Sequence, residues 1–104
     1  MEKCVIVKTL CDREEIATNI SKVLLNKKLV AGSQISKVHS NYWWNEKLEE
    51  CDEFCIEFRT KKKLFDEVVH EIRKIHDYET AEISCIEIIN ANDEFIKWIN
   101  DNTK

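Results

Sequence analysis

The chain has 104 residues, of which 43% are apolar and 35% charged, a composition typical of one ordinary folded domain. We therefore treat residues 1–104 as a single domain. Sixteen basic and twenty acidic residues give a formal net charge of -4, which disfavours nucleic acid as a partner because phosphate binding needs a concentrated positive field. The apolar run near the N-terminus is too short for a signal peptide or a membrane span, so we expect no membrane partner and a cytoplasmic location.

The cysteine content predicts free thiols. The five cysteines are an odd number without a C-x-x-C spacing, and a reducing compartment keeps such residues as small buried side chains. The chain also has one glycine and no proline, so its turns must be made by asparagine and aspartate. A glycine-rich phosphate loop is excluded for the same reason.

The first third of the chain predicts a strand followed by a helix. Residues 4–7 form a short apolar run typical of a buried strand. Asp12 with Glu15 three positions later resembles a capping box, and we expect the helix that it opens to end near Lys28. One apolar stripe of this helix faces a core and consists of Ile16, Ile20, Val23 and Leu24.

The middle of the chain predicts a hairpin. Residues 31–44 alternate as an extended segment, but the alternation shifts by one residue between Ile35 and Val38, which predicts a β-bulge. Residues 45–47 are typical of a turn, and residues 48–59 return as a strand with apolar side chains on one face.

The last third predicts a helix, a strand and a final helix. Thr60 is placed to cap the second helix, although the lysines at 61–63 oppose its dipole. The stripe of that helix consists of Leu64, Val68, Ile72 and Ile75. A loop at 77–82 leads to a strand at 83–89, and Asn92 begins a helix that carries Phe95, Trp98 and Ile99.

The resulting order β-α-β-β-α-β, with a C-terminal helix, predicts an α+β ferredoxin-like, two-layer sandwich. Two helices then cover one face of a four-stranded antiparallel sheet, whereas the strands carry apolar residues on both faces. A second copy of the chain is the simplest cover for the other face, so we expect a homo-oligomer. Its aromatic interface anchors would be Tyr42, Trp43 and Trp44, although these side chains could instead line a ligand cleft.

Several motifs together resemble the CutA divalent-cation tolerance family. They are YWWNEKLEE at 42–50, HDYETAEI at 76–83, LVAG at 29–32, Arg59-Thr60 before the second helix, and DEFIKWI at 93–99. The resemblance covers nearly the whole chain. It implies a ferredoxin-like, PII-like homotrimer with clefts between subunits and a role in tolerance of copper and other divalent metals.

Three positions depart from the pattern of that family. Asp77 and Ala81 stand where the loop after the second helix often has proline, so its rigidity is reduced. The strand-end cysteine that some members use for copper aligns with Thr9, and Cys11 lies two residues further on. Where some members have two adjacent histidines, only His76 remains.

The candidate metal ligands are Cys11, His76 and Glu79 across a subunit boundary, because sulfur with imidazole suits Cu(I) or Zn(II). The plainer interpretation is a helix-capping His76 and a surface Cys11. Cys51 and Cys55 cannot share an ion, because on a strand they stand about 13 Å apart.

The candidate ligand cleft consists of Arg59, Tyr78, Glu79 and Glu82. Arg59 precedes a helix N-terminus, where anions often bind. Glu79 and Glu82 could work as paired carboxylates, or they could be solvated acids that cap the next strand or contact Arg59.

Three functions remain open at this point. We expect a homotrimer that binds copper or another divalent metal ion, without catalysis and without an organic cofactor. The alternatives are a PII-like sensor of a small anionic ligand in the intersubunit cleft, and an adaptor trimer with no ligand. No enzyme is expected, because the sequence does not arrange a nucleophile, a base and an orienting group.

Overall fold

The computed structural model describes residues 2–104, which form four strands and three α-helices in the predicted order. The bounds are β1 Cys4–Cys11, α1 Glu14–Asn26, β2 Gly32–Trp44, β3 Lys47–Lys61, α2 Phe65–Ile75, β4 Ile83–Glu87 and α3 Asp93–Asp101, with a 3-10 turn at Lys62–Leu64 before α2. No helix within these residues combines the length and the apolarity needed to cross a bilayer.

The four strands form one antiparallel sheet in the order β2-β3-β1-β4, which confirms the predicted ferredoxin-like α+β fold. Val5 and Val7 of β1 and Ile56 and Phe58 of β3 are fully buried on the face that α1 and α2 cover. Because successive residues of a strand point to opposite faces, Cys4 lies on the second face, where it accepts a hydrogen bond from Asn100 of α3.

Helix α3 covers only one end of the second face. Trp98 of α3 lies over the single glycine of the chain, and a Cβ on Gly32 would stand 2.9 Å from the ring atom Cη2. Further along β1, half-buried Ile6 and Leu10 alternate with Lys8 on this face. The second face is therefore more polar than the strand patterns indicated.

The β2–β3 hairpin extends beyond the other strands. Residues 38–44 and 47–53 pair only with each other, and we call this two-stranded ribbon, residues 38–53, the arm. Its turn consists of Asn45 (φ 49°) and Glu46 (φ 64°), the left-handed conformations of a type I′ turn. The predicted turn is confirmed, except that Lys47 already belongs to β3.

The predicted β-bulge in β2 is wrong. The register runs without a break from Gly32 opposite Arg59 to Trp44 opposite Lys47. Much of β2 is exposed on both faces in the single chain, so its apolar residues need not follow one buried side. The shift in alternation between Ile35 and Val38 therefore reflects an edge strand of irregular polarity.

The predicted capping of both helices is also wrong. β1 extends to Cys11, four residues further than predicted, and Arg13 is the N-cap of α1 without a side-chain capping bond. Thr60 lies within β3, fully buried, and its hydroxyl donates to the carbonyl of Leu29. The 3-10 turn replaces the expected cap of α2.

Two element ends differ by two residues from the prediction. α1 ends at Asn26, after which Lys28 adopts a left-handed φ of 57°. β4 ends at Glu87, although the N–H of Ile88 still donates to the carbonyl of Cys4. The helix predicted after Asn92 does begin there.

Candidate functional site

A cavity of about 620 Å³ opens between the arm, the end of β1 and the loop at 77–82. The sequence predicts functional residues in both the loop and the arm, and the fold brings these two segments together. The residues that line the cavity are Leu10, Ser40, Asn41, Tyr42, Trp43, Trp44, Glu53, Asp77, Tyr78, Glu79, Thr80 and Glu82.

His76, the C-cap of α2, anchors the loop. Its Nδ1 accepts a hydrogen bond from the backbone N–H of Tyr78 at 3.2 Å, and its Nε2 donates to the carbonyl of Leu10 at the end of β1. The ring also contacts the Tyr78 ring, with centroids 4.9 Å apart. Both nitrogens of His76 are therefore engaged in fixing the loop.

Tyr78 closes the inner side of the cavity against β3. Its hydroxyl donates to Glu53 Oε2 at 2.8 Å, and the Glu53 side chain is buried. Burial raises the pKa of the Tyr78 phenol, and the hydrogen bond to the Glu53 carboxylate raises it further. The phenol therefore stays protonated and holds one oxygen of the carboxylate in place.

The remaining acids of the cavity differ in their partners. Asp77 pairs with Arg13 at 2.9 Å, and Glu82 lies 3.5 Å from Lys8. Glu79 has no hydrogen bond or ion pair with another residue in the described part of the chain. Among residues 2–104 the cavity lining includes four carboxyl groups and no lysine, arginine or histidine, so its electrostatic preference is for a cation.

The two faces of the arm present different surfaces. Trp43 and Leu48 are opposite each other in the register, and they are 73% and 68% exposed. Tyr42 and Trp44 lie on the other face of the ribbon, because side chains alternate along a strand. That second face also carries Glu53. Trp43 and Leu48 thus form an exposed apolar patch near the tip of one face, and the face that carries Tyr42, Trp44 and Glu53 borders the cavity.

His39 lies outside this cavity, on the face of the arm that carries Trp43. Its Nδ1 is 2.7 Å from Asp52 Oδ1, and its Nε2 is 3.6 Å from Glu50 Oε2. The hydrogen bond to Asp52 raises the pKa of the imidazole above its usual 6.5, and the bond to Glu50 adds to this. A protonated His39 therefore joins two acids of the neighbouring strand.

This arrangement predicts a small pH-dependent contribution to stability. Because the folded state raises the pKa of His39, the contribution is fully present below about pH 6.5 and is lost as the pH rises through the raised value. The melting temperature of His39→Gln should fall below that of wild type at acidic pH, and the difference should shrink toward about pH 8. His70→Gln, at an exposed position of α2, serves as the control without this trend. A difference that grows with pH would contradict the prediction.

Comparison of the chain with known proteins identifies its family. Residues 4–102 match the family model of the CutA1 divalent ion tolerance protein. The chain belongs to the CutA1 family. It is 30% identical over 100 residues to the divalent-cation tolerance protein CutA of Pyrococcus horikoshii, covering 96% of this chain and 98% of that protein. It is 38% identical over 87 residues to the CutA of Archaeoglobus fulgidus, covering 84% and 85%.

Solved CutA1 structures agree with the fold. The CutA1 of Ehrlichia chaffeensis superimposes with a TM-score of 0.92 at 35% identity, covering 100% of this chain and 98% of that one. The CutA of Archaeoglobus fulgidus, which is described as periplasmic, gives 0.94 at 33% identity, covering 97% and 99%. The family resemblance drawn from the motifs is therefore confirmed.

The three predicted metal ligands of this CutA1 chain do not converge. Among residues 2–104 no group of three or more histidine, cysteine, aspartate or glutamate side chains is placed to hold a metal ion. Cys11 is fully buried, and its thiol donates to the carbonyl of Arg13. The surface position predicted for Cys11 in the plainer interpretation is therefore wrong. Burial raises the pKa of the Cys11 thiol. A metal site formed by these residues across a subunit boundary stays a prediction.

The predicted ligand cleft is divided in the single chain. Tyr78, Glu79 and Glu82 line the cavity. Arg59 instead lies six residues beyond Glu53 on β3, about 20 Å away, and its guanidinium is 3.7 Å from Glu57. The alternative in which Arg59 contacts the loop acids is therefore not realised within the described chain.

Sequence reasoning missed Glu53 and its bond to Tyr78. The hairpin turn contained the signal, because a two-residue turn at 45–46 fixes the register and puts Glu53 on the same face as Tyr42 and Trp44. The position of the loop was not readable from the turn. It depends on the hydrogen bonds of His76, which join segments far apart in the sequence.

Proposed function

We propose that this protein is a divalent-cation tolerance protein that works as a homotrimer and binds copper or another divalent metal ion in clefts between its copies, without catalysing a reaction. Membership of the CutA1 family supports the tolerance role. The observation that carries the choice of a cation is the cavity lining, with four carboxyl groups and no basic side chain among the described residues.

Self-association is proposed from the apolar patch near the tip of the arm. Trp43 and Leu48 form an exposed patch, and Ile89 after β4 is even more exposed. Transferring such surface out of water is favourable by about 25 cal/mol per Å² of apolar area. A second copy of the chain offers apolar side chains that can pack on this patch. In a closed ring of three copies, the patch of every arm is covered.

The metal ligands are proposed to come from more than one copy. Glu79 is exposed and unpaired within the described chain, so it can offer a carboxylate without losing another bond. His76 would have to give up its bond from the Tyr78 N–H, and Cys11 would have to become accessible. We therefore propose Glu79 as the first of the three predicted ligands, with His76 and Cys11 joining only after local rearrangement.

A metal titration on protein of known native mass tests this proposal. The native mass should correspond to three chains, and calorimetry under thiol-preserving conditions should give a saturable isotherm for Cu(II), Cu(I) or Zn(II). Glu79→Gln should weaken the binding about tenfold or more, since a ligand carboxylate is lost. Glu14→Gln, at an exposed position of α1, is the matched control and should bind as wild type does.

Two results would contradict parts of the proposal. A native mass of one chain would remove the homotrimer, and a flat titration with every metal would remove the metal site. An isotherm that is unchanged in His76→Ala would exclude His76 as a ligand while leaving Glu79 in place.

The sensor alternative receives less support from the geometry. A small anionic ligand would face the cavity acids without Arg59, which lies elsewhere on β3. Thermal stabilisation by an anionic metabolite that is lost in Arg59→Ala would nevertheless restore this alternative. If neither metals nor metabolites bind, the adaptor trimer becomes the favoured function. The cytoplasmic location stays a prediction from the sequence.

A further inference from the structure

We propose that the cavity beside the loop binds an organic ammonium cation, such as a quaternary or alkylated amine, held by the carboxylate of Glu53 and the aromatic side chains of Tyr42, Trp44 and Tyr78 that line it. This inference goes beyond metal tolerance and does not depend on it. It concerns the cavity as it exists within one chain.

Glu53 is the first support. Its side chain is 8% exposed, and it borders the cavity. Oε2 accepts the Tyr78 hydroxyl at 2.8 Å, whereas Oε1 has no hydrogen bond or ion pair with any of residues 2–104. Oε1 is not fully enclosed by protein and is open to the cavity, where a partly desolvated carboxylate favours a counter-charge. A cation that enters the cavity supplies that charge next to Oε1.

The aromatic lining is the second support. Tyr42 and Trp44 lie on the same face of the arm as Glu53 and are each 41% exposed, and Tyr78 lines the opposite side from the loop. The face of an aromatic ring carries partial negative charge and attracts ammonium groups within about 6 Å of its centre. Methylated ammonium ions favour such surroundings because their charge is spread over an apolar surface.

The charges around the cavity point the same way. The lining contains four carboxyl groups and, among the described residues, no basic side chain. Asp77 and Glu82 have basic partners at the rim, which leaves Glu53 and Glu79 as the net negative groups. A cation is attracted to this cavity, and an anion is repelled.

Size separates an organic cation from a bare metal ion. A divalent metal needs several donors that converge to about 2.0–2.6 Å from one point, and residues 2–104 include no such group of three. The volume of about 620 Å³ is instead typical of a small-molecule pocket. An ammonium ion requires only one counter-charge and apolar walls, and both are present.

Choline and its neutral analogue 3,3-dimethylbutan-1-ol are the probes. The two molecules have nearly the same shape, and only choline is charged. Calorimetric titration of the full chain, in its native assembly and with EDTA present, should show saturable binding of choline. The neutral analogue should bind at least about tenfold more weakly than choline. Equal binding of both probes, or none of choline, would overturn the proposal.

A substitution identifies the carboxylate. Glu53→Gln keeps the acceptor for the Tyr78 hydroxyl but removes the charge, so choline affinity should fall about tenfold. Glu57→Gln is the control. Glu57 lies four residues further along the same face of β3 and does not line the cavity, so this change should leave the choline affinity unchanged. Unchanged affinity in a folded Glu53→Gln would overturn the assignment. The comparison of the two probes on the wild-type chain needs no variant, so it decides the matter even if Glu53→Gln does not fold.

The outcome is separable from that of metal tolerance. Zn(II) and Cu(II) titrations of the wild-type chain report on the metal site, and choline titrations with EDTA report on the cavity. Choline binding without metal binding supports this inference and contradicts the proposed function. The reverse result contradicts this inference alone.

Discussion

Phe58→Ala is expected to lower the free energy of unfolding by about 3–5 kcal/mol. Phe58 is fully buried at the centre of the sheet, opposite Val7 of β1 and Ser33 of β2. It belongs to the core cluster that both α1 and α2 cover. Removing the ring leaves a cavity that the flanking strands cannot fill, because their hydrogen bonds fix the backbone.

Chemical denaturation at one fixed protein concentration measures this effect, since the stability of an associating protein depends on concentration. Phe95→Ala is the control. Phe95 is half-buried on α3 and stacks on Trp98 with ring centroids 5.8 Å apart, so its loss should cost clearly less. A Phe58→Ala chain that unfolds at the same denaturant concentration as Phe95→Ala would show that Phe58 is not the centre of the core.

Gly32→Ala is expected to cost about 1–3 kcal/mol, which is the usual range for overpacking a filled site. The cause is steric. An added Cβ would lie 2.9 Å from Trp98 Cη2, so the indole ring, which is 42% exposed, must shift outward and lose part of its packing on β2. The φ angle of Gly32 is not in the left-handed region, so backbone strain does not contribute.

A double-mutant cycle isolates this contact. In a Trp98→Leu background the ring is absent, so Gly32→Ala should become nearly neutral. Ser33→Ala, at the next residue of β2 and on the opposite face, removes one hydroxyl oxygen and is the control for a small change in β2 away from the indole. A cost of Gly32→Ala that persists in the Trp98→Leu background would place the strain somewhere other than at α3.

The elements that sequence reasoning predicted well are those with a local cause. The stripes of α1 and α2 and the turn at 45–46 follow from short-range periodicity and turn chemistry. The errors come from tertiary interactions. Thr60 is a good capping residue in isolation, but pairing of β3 with β1 continues past it and its hydroxyl bonds to Leu29. Sequence propensity does not include such pairing.

The part of the candidate site that could be predicted from the sequence is likewise the part that is local in the chain. Tyr78, Glu79 and Glu82 lie within five residues of each other, so one loop keeps them together. Arg59 and Cys11 were assigned from their positions at strand ends, but β1 and β3 both extend further than predicted. The longer β1 places Cys11 on the buried face of the sheet, and Arg59 lies far from the loop because the loop contacts β3 at Glu53, six residues away.

The uninterrupted pairing of the arm constrains how this chain can change in length during evolution. A single-residue insertion in β2 beyond Gly32 would exchange the faces of all later side chains of that strand. Trp43 would then turn toward Glu53, and Tyr42 and Trp44 would turn away from it. Homologous arms should therefore differ by paired residues, lengthening both strands together, because only such changes preserve each surface.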